Sequence, residues 1–176
     1  MSNKTKFILA AVIVILAAAS RLVEHPFNFT PIIAMSIFAG CYLKKYWAIF
    51  LPLAAMLTSD YFIGFYDWQV MASVYFSIAL AFASGWYLQQ HFKWQNIIFA
   101  SLASSIVFFL ITNFAVWAFF NWYPHTWQGL ANCFTLAIPF FRNSLAGDLI
   151  YTGVLFGAYE FVSAWSNKLA TKVEKI

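Results

Sequence analysis

The sequence predicts an all-α fold, a polytopic membrane helix bundle of about six transmembrane helices. Of its 176 residues, 63% are hydrophobic and only 9% charged, where a soluble domain carries about 25% charged residues. The aromatic load is heavy, with 21 Phe, 9 Tyr and 8 Trp. The few cations stand singly or in twos and threes between long apolar runs. Too little polar side chain remains to cover a water-soluble globule. Disordered, collagen-like and nucleic-acid-binding classes are excluded as well, since they need abundant charge, period-three glycine or clustered Lys and Arg. The length allows one domain, 1–176, whose first partner is the lipid bilayer.

A spanning helix needs about 20 mostly apolar residues. Windows at about 5–22, 31–43, 46–65, 69–90, 95–121 and 144–165 meet or approach that. The first also fits a signal peptide, with Lys4 and Lys6 before an apolar run and Ala17-Ala18-Ala19 after it. A retained span is the expectation. The second window is short and opens on Pro31, a good first helical residue. A further apolar stretch at about 127–141 carries Asn132, Thr135 and Pro139, and reads as an interfacial or re-entrant segment. Small residues at Ala146, Gly153, Gly157 and Ala164 share one face of the last span. Their expected use is close packing within the bundle.

The basic residues orient these spans, because Lys and Arg concentrate in cytoplasmic loops. With both termini inside, every lysine falls on the inner side, at 4, 6, 44, 45, 93, 168, 172 and 175. The outer side keeps Arg21 and Arg142, with Glu24, Asp60, Asp67 and Asp148. A bacterial cytoplasmic (inner) membrane is the expected location.

Ionisable groups inside a membrane are expensive and so mark candidate sites. Asp60, Asp148, Arg21 and Arg142 fall at one depth near the outer surface. Pairing is expected there, because an Arg–carboxylate bond can be bidentate and strong. Asn113, Trp117 and Asn121, at i, i+4 and i+8, form a stripe expected to face the bundle interior. Asn28 lies in a first outer loop rich in turn formers and hydrogen-bonding groups. The expected substrate-binding residues are therefore Arg21, Asn28, Asp60, Asn113, Trp117, Arg142 and Asp148, with Trp117 as an apolar wall. Glu160 is placed near the inner interface.

Catalytic signatures are lacking: there is no His-Glu-x-x-His, Gly-x-Ser-x-Gly or phosphate-binding glycine loop. His25, His125 and Cys133 lie outward, but nothing in their spacing requires a metal. No enzyme activity, cofactor or metal is expected. The rival class is a structural or assembly membrane protein of the cell envelope, which needs no pocket.

Arg21, Asn28-Phe29-Thr30-Pro31, Phe38-Ala39-Gly40, Ser59-Asp60 with Gly64, and Gly147-Asp148-Leu149 resemble a family of uncharacterised bacterial membrane proteins. The likeness covers roughly 20–165. The architecture resembles the S components, the substrate-binding subunits of energy-coupling-factor vitamin transporters. That resemblance implies a vitamin-like small-molecule substrate bound between the outer helix ends, and a membrane coupling subunit docking on the cytoplasmic side. S components usually carry Ala-x-x-x-Ala on the first helix. Here Ala10, Ala11 and Ala17–Ala19 include no pair four apart.

Overall fold

The computed structural model describes residues 2–22, 28–43 and 45–173, with the side chains of Asn3 and 169–173 excepted. Glu24, His25, Lys44 and Lys175, together with the side chain of Lys172, lie outside the described residues. Six α-helices follow one another: α1 Asn3–Ala19, α2 Ile32–Tyr42, α3 Phe50–Ile63, α4 Trp68–Leu88, α5 Trp94–Phe119 and α6 Trp127–Val173. A 3-10 turn, Ser20–Leu22, ends α1, and another, Tyr46–Ile49, leads into α3. Among the described residues there is no strand. Five of the helical segments are long and apolar enough to cross a bilayer, and α2 is the short exception.

The distribution of side-chain size identifies the solvent. Large apolar groups point outward, with Phe99 72% and Phe161 70% exposed. The buried faces hold many small residues, as on α5, where Ala100, Ser101, Ser104 and Ser105 are all buried. Between helices in lipid, apolar surface gives little preference for association, so close backbone approach and interhelical hydrogen bonds take over. The bonds are present: Ser84 to Ser104 at 3.2 Å joins α4 to α5, and Thr152 to Ser101 at 3.1 Å joins α6 to α5.

At the centre stands α2. Ten of its eleven residues are buried, as expected of a helix that is apolar all round. Its contact with α4 is nearly backbone on backbone. A Cβ on Gly40 would lie 2.2 Å from the Phe82 carbonyl oxygen, and one on Gly85 would lie 2.1 Å from that of Ile37. Gln89 Nε2 then donates to the Gly40 carbonyl at 2.7 Å.

The helices alternate in direction. Lys4, Lys6, Lys45, Gln89 and Glu160 border one cavity at one end of the bundle, hereafter the lysine face. Arg21, Thr30, Tyr66 and Asn113 border a second cavity at the other end, the arginine face. This is the arrangement expected of an even number of crossings with both termini on one side.

Two expectations are corrected. The stretches 127–141 and 144–165 are one helix, α6, which continues through Pro139. Proline removes one helical hydrogen bond, a loss that neighbouring helices can accommodate in a membrane. Ring contacts from Phe134 and Phe141 to Phe109 of α5 flank the proline on both sides. The 47 residues of α6 would rise about 70 Å if straight, over twice the hydrocarbon thickness of about 30 Å. The small-residue stripe of α6 does not pack within the bundle. Ala146, Gly153 and Ala164 are exposed, and a Cβ on Gly153 or Gly157 would meet nothing within 4 Å.

These contacts separate two glycines by consequence. Gly85→Leu should destabilise the purified protein by about 3 kcal/mol or more through overpacking against α2. Gly153→Leu should stay within about 0.5 kcal/mol of the parent. Thermal unfolding of both in detergent checks this, and equal midpoints would refute the close α2–α4 contact.

Candidate functional site

Arg21 sits in the 3-10 turn that closes α1, where a cation complements the partial negative charge of a helix C-terminus. Its guanidinium turns inward. Nη1 and Nη2 both donate to Asp60 Oδ1 at 3.2 Å, and Nη1 also reaches the Ser59 hydroxyl and, at 2.8 Å, the Met56 sulfur. The other oxygen of Asp60 accepts from the Tyr75 hydroxyl at 3.1 Å. One carboxylate thus ties α1, α3 and α4 together. The side chains of Arg21 and Asp60 are only 9% and 2% exposed, and theirs is the one salt bridge among the described residues. Near the C-terminus of α3 a lone carboxylate would oppose the helix dipole, so Arg21 is its counterweight. Beyond it Gly64, at φ 115°, turns the chain out of the helix while its N–H bonds the Asp60 carbonyl at 2.8 Å.

Beside the ion pair lies the arginine-face cavity, of about 370 Å³. Phe108, Phe109, Thr112, Asn113 and Val116 form its α5 wall. Ala137, Phe140, Phe141 and Ser144 form the α6 wall. The space exists because these two helices part company. Asn113 meets Cys133, whose thiol donates to its carbonyl at 3.5 Å, and Ser101 meets Thr152. The stretch 133–152 of α6 therefore faces the shorter stretch 101–113 of α5 and must arc away from it. Asn28 and Thr30, ahead of α2, and Tyr66, between α3 and α4, contribute polar groups to the lining. Asn28 holds a left-handed backbone at φ 61°, a conformation that Asn tolerates better than most residues. Burial pushes the Tyr66 phenol up to about 12, with Asp60 adding to the shift and Arg21 opposing it. The hydroxyl therefore keeps its proton at neutral pH and remains a donor.

Of the residues singled out in the sequence, Arg21, Asn28 and Asn113 line this cavity, and Asp60 is bonded to its wall. The other three go elsewhere. Trp117 donates its indole N–H to the Pro124 carbonyl at 3.0 Å and packs against His125, which fixes the α5–α6 loop. Arg142 is exposed on α6. Asp148 is 4% exposed and takes a 2.6 Å hydrogen bond with Ser105, not an arginine. The expected pairing thus holds for Arg21 with Asp60 and fails for Arg142 with Asp148. Six residues apart on one helix, the latter two point about 120° away from each other. The expected interior stripe is broken as well, since α5 ends at Phe119 and leaves Asn121 exposed in a turn.

The sequence carried one unused signal. Ala137, Phe140, Phe141 and Ser144 stand at i, i+3, i+4 and i+7, the periodicity of a single helical face. That face runs across the supposed break at Pro139. Tyr75 had no such signal, because its register against Asp60 depends on how α4 packs on α3.

Fold and site together define a helical membrane bundle with a buried ion pair at the wall of a small, mostly apolar cavity. The chain belongs to a protein family described as a family of unknown function (DUF6580), whose model matches residues 1–171. No curated protein and no solved structure matches it.

Replacing Asp60 with Leu should cost about 3–5 kcal/mol, because the Arg21 guanidinium is left buried without its counter-charge. Adding Arg21→Met should recover most of the loss. Unfolding midpoints of the parent, both single variants and the double variant measure this coupling. Strictly additive losses would mean that the two groups do not act as a pair.

Proposed function

We propose that the protein binds a small, largely apolar solute in the arginine-face cavity and carries it inward or hands it to a membrane partner. The observation behind this reading is an unspent donor. Arg21 lines the cavity, both of its Nη atoms are engaged, and its buried Nε–H has no hydrogen-bond partner among the described residues. A buried donor without an acceptor costs about 1–3 kcal/mol, a cost that a ligand acceptor in the cavity would remove.

The volume falls toward the low end of ligand pockets, which run at about 300–1,000 Å³. Aromatic walls suit a compact apolar body, while Asn28, Thr112 and Asn113 supply polar contacts that can orient it. Because Asp60 already balances Arg21, a neutral ligand with a carbonyl-type acceptor suits the site better than a strongly anionic one. The resemblance to vitamin-transport S components would make that solute vitamin-like. It adds a coupling subunit on the lysine face, and the protein's home in this reading is a bacterial inner membrane. No bond need be made or broken: the fixed groups bind and orient, and movement of the segment around Tyr66 would close the site.

Solvent extraction of the purified protein followed by mass spectrometry should release one compound in near-stoichiometric amount. Ala137→Phe places a ring in the cavity without touching the ion pair, and should retain at least about tenfold less, equivalent to ~1.4 kcal/mol. Equally empty, equally stable preparations of both proteins would favour an envelope scaffold that holds partner proteins.

A further inference from the structure

The larger cavity lies at the opposite end of the bundle from the ion pair, and its chemistry is different. We infer that the lysine-face cavity, about 850 Å³ in volume, holds the phosphate-bearing headgroup of an anionic membrane lipid. This inference does not depend on the arginine-face site.

Three ammonium groups border the space, those of Lys4 and Lys6 from α1 and Lys45 from the turn after α2. None makes an ion pair among the described residues. Among the described residues one carboxylate lies in the lining, that of Glu160, whose Oε1 accepts from the Tyr42 hydroxyl at 2.6 Å and is held away from the lysines. Tyr42 in turn packs against Tyr159 with ring centres 3.9 Å apart and planes tilted by 37°, which fixes that hydroxyl in place. Three ammonium groups against one carboxylate leave the described lining with an excess of positive charge.

Its walls indicate which kind of anion fits. Phe7, Trp47 and Phe92 line it, with Phe7 and Trp47 in ring contact at 5.8 Å. Lys45 holds its ammonium 5.4 Å from the centre of the Trp47 ring. A cation–aromatic rim at the end of membrane-crossing helices is the environment of a lipid headgroup, with water on one side and hydrocarbon on the other. A free phosphate ion would use the lysines and leave the aromatic wall idle. A phospholipid uses both, with its phosphate on the ammonium groups and its glycerol and upper acyl carbons against the rings.

The test uses the full-length protein in nanodiscs of phosphatidylcholine with and without phosphatidylglycerol. Lipids retained after release are counted by native mass spectrometry, and thermal stability is followed as lipid is added. The parent should retain phosphatidylglycerol in preference to phosphatidylcholine and be stabilised by it. The triple variant Lys4→Gln, Lys6→Gln, Lys45→Gln should lose up to about a hundredfold in that preference, on the scale expected for three interfacial lysines. The corresponding triple Lys→Arg variant should keep it.

A charge-matched control carries Lys168→Gln, Lys172→Gln and Lys175→Gln. An equal loss in this control would reduce the effect to general surface charge and overturn the site. Stabilisation by inorganic phosphate or glycerol 3-phosphate equal to that by the lipid would overturn the lipid assignment in favour of a soluble anion.

Discussion

Everything in this bundle is arranged around a helix too short for the layer it occupies. The eleven residues of α2 rise about 16 Å, against about 30 Å of hydrocarbon. It is held in the centre by the approach of Gly40 and Gly85, where neither backbone leaves room for a Cβ. The longer helices pack around it and extend past both of its ends. A central element that stops short leaves unfilled space above and below, and that is where the cavities lie. Asn28, Thr30 and Ile32 ahead of α2 line one, and Cys41, Tyr42 and Leu43 behind it line the other. The short helix thus opens space at both ends of the bundle, and the parting of α5 from α6 widens it on the arginine face.

The same constraint explains several short motifs that stand out in the sequence. Gly40 of Phe38-Ala39-Gly40 provides the contact with α4, while Phe38 meets Phe156 of α6 edge-on at 5.3 Å. Gly147 allows the Phe29 backbone to pass, since a Cβ there would lie 3.2 Å from the Phe29 Cα. Phe29 then rests on Tyr151 one turn further along, at 5.6 Å. These residues seat α2 and its leading segment. Among the motif residues, only Arg21, Asn28, Thr30, Ser59 and Asp60 reach the cavity or the ion pair on its wall.

Depth was legible in the sequence and direction around each helix was not. The apolar runs marked the crossings, and the lysines correctly sorted the loops into two ends, because both are one-dimensional signals that the bilayer imposes on the chain. Asp60 and Arg21 could be placed at one level for the same reason. Their partners depended on azimuth, which is set by packing between helices. Asp148 shares their side of the bundle but is turned toward Ser105, and Arg142 is turned outward. The small-residue stripe of α6 misled in the same way. Its spacing showed that the residues share a face, and nothing in it said whether that face meets protein or lipid. Pro139 misled for a different reason: a helix breaker in water is tolerated where neighbouring helices hold both sides of it.

The two cavities also differ in how their charge is used, and this argues for two different occupants. In the arginine-face cavity the Arg21 cation is neutralised by a carboxylate 3.2 Å away and buried with it. An anion arriving there would have to compete with Asp60 at short range, in a medium where like charges repel strongly. What remains available is one N–H and a set of neutral polar groups, which is recognition suited to an uncharged acceptor. In the lysine-face cavity, among the described residues, one carboxylate accepts from a tyrosine and three ammonium groups stay free of ion pairs. There an anion meets three ammonium groups against one carboxylate, and the balance is attraction. If both proposals hold, a bundle that balances its charge in one cavity and leaves it open in the other takes a solute and a lipid at once, with α2 standing between them.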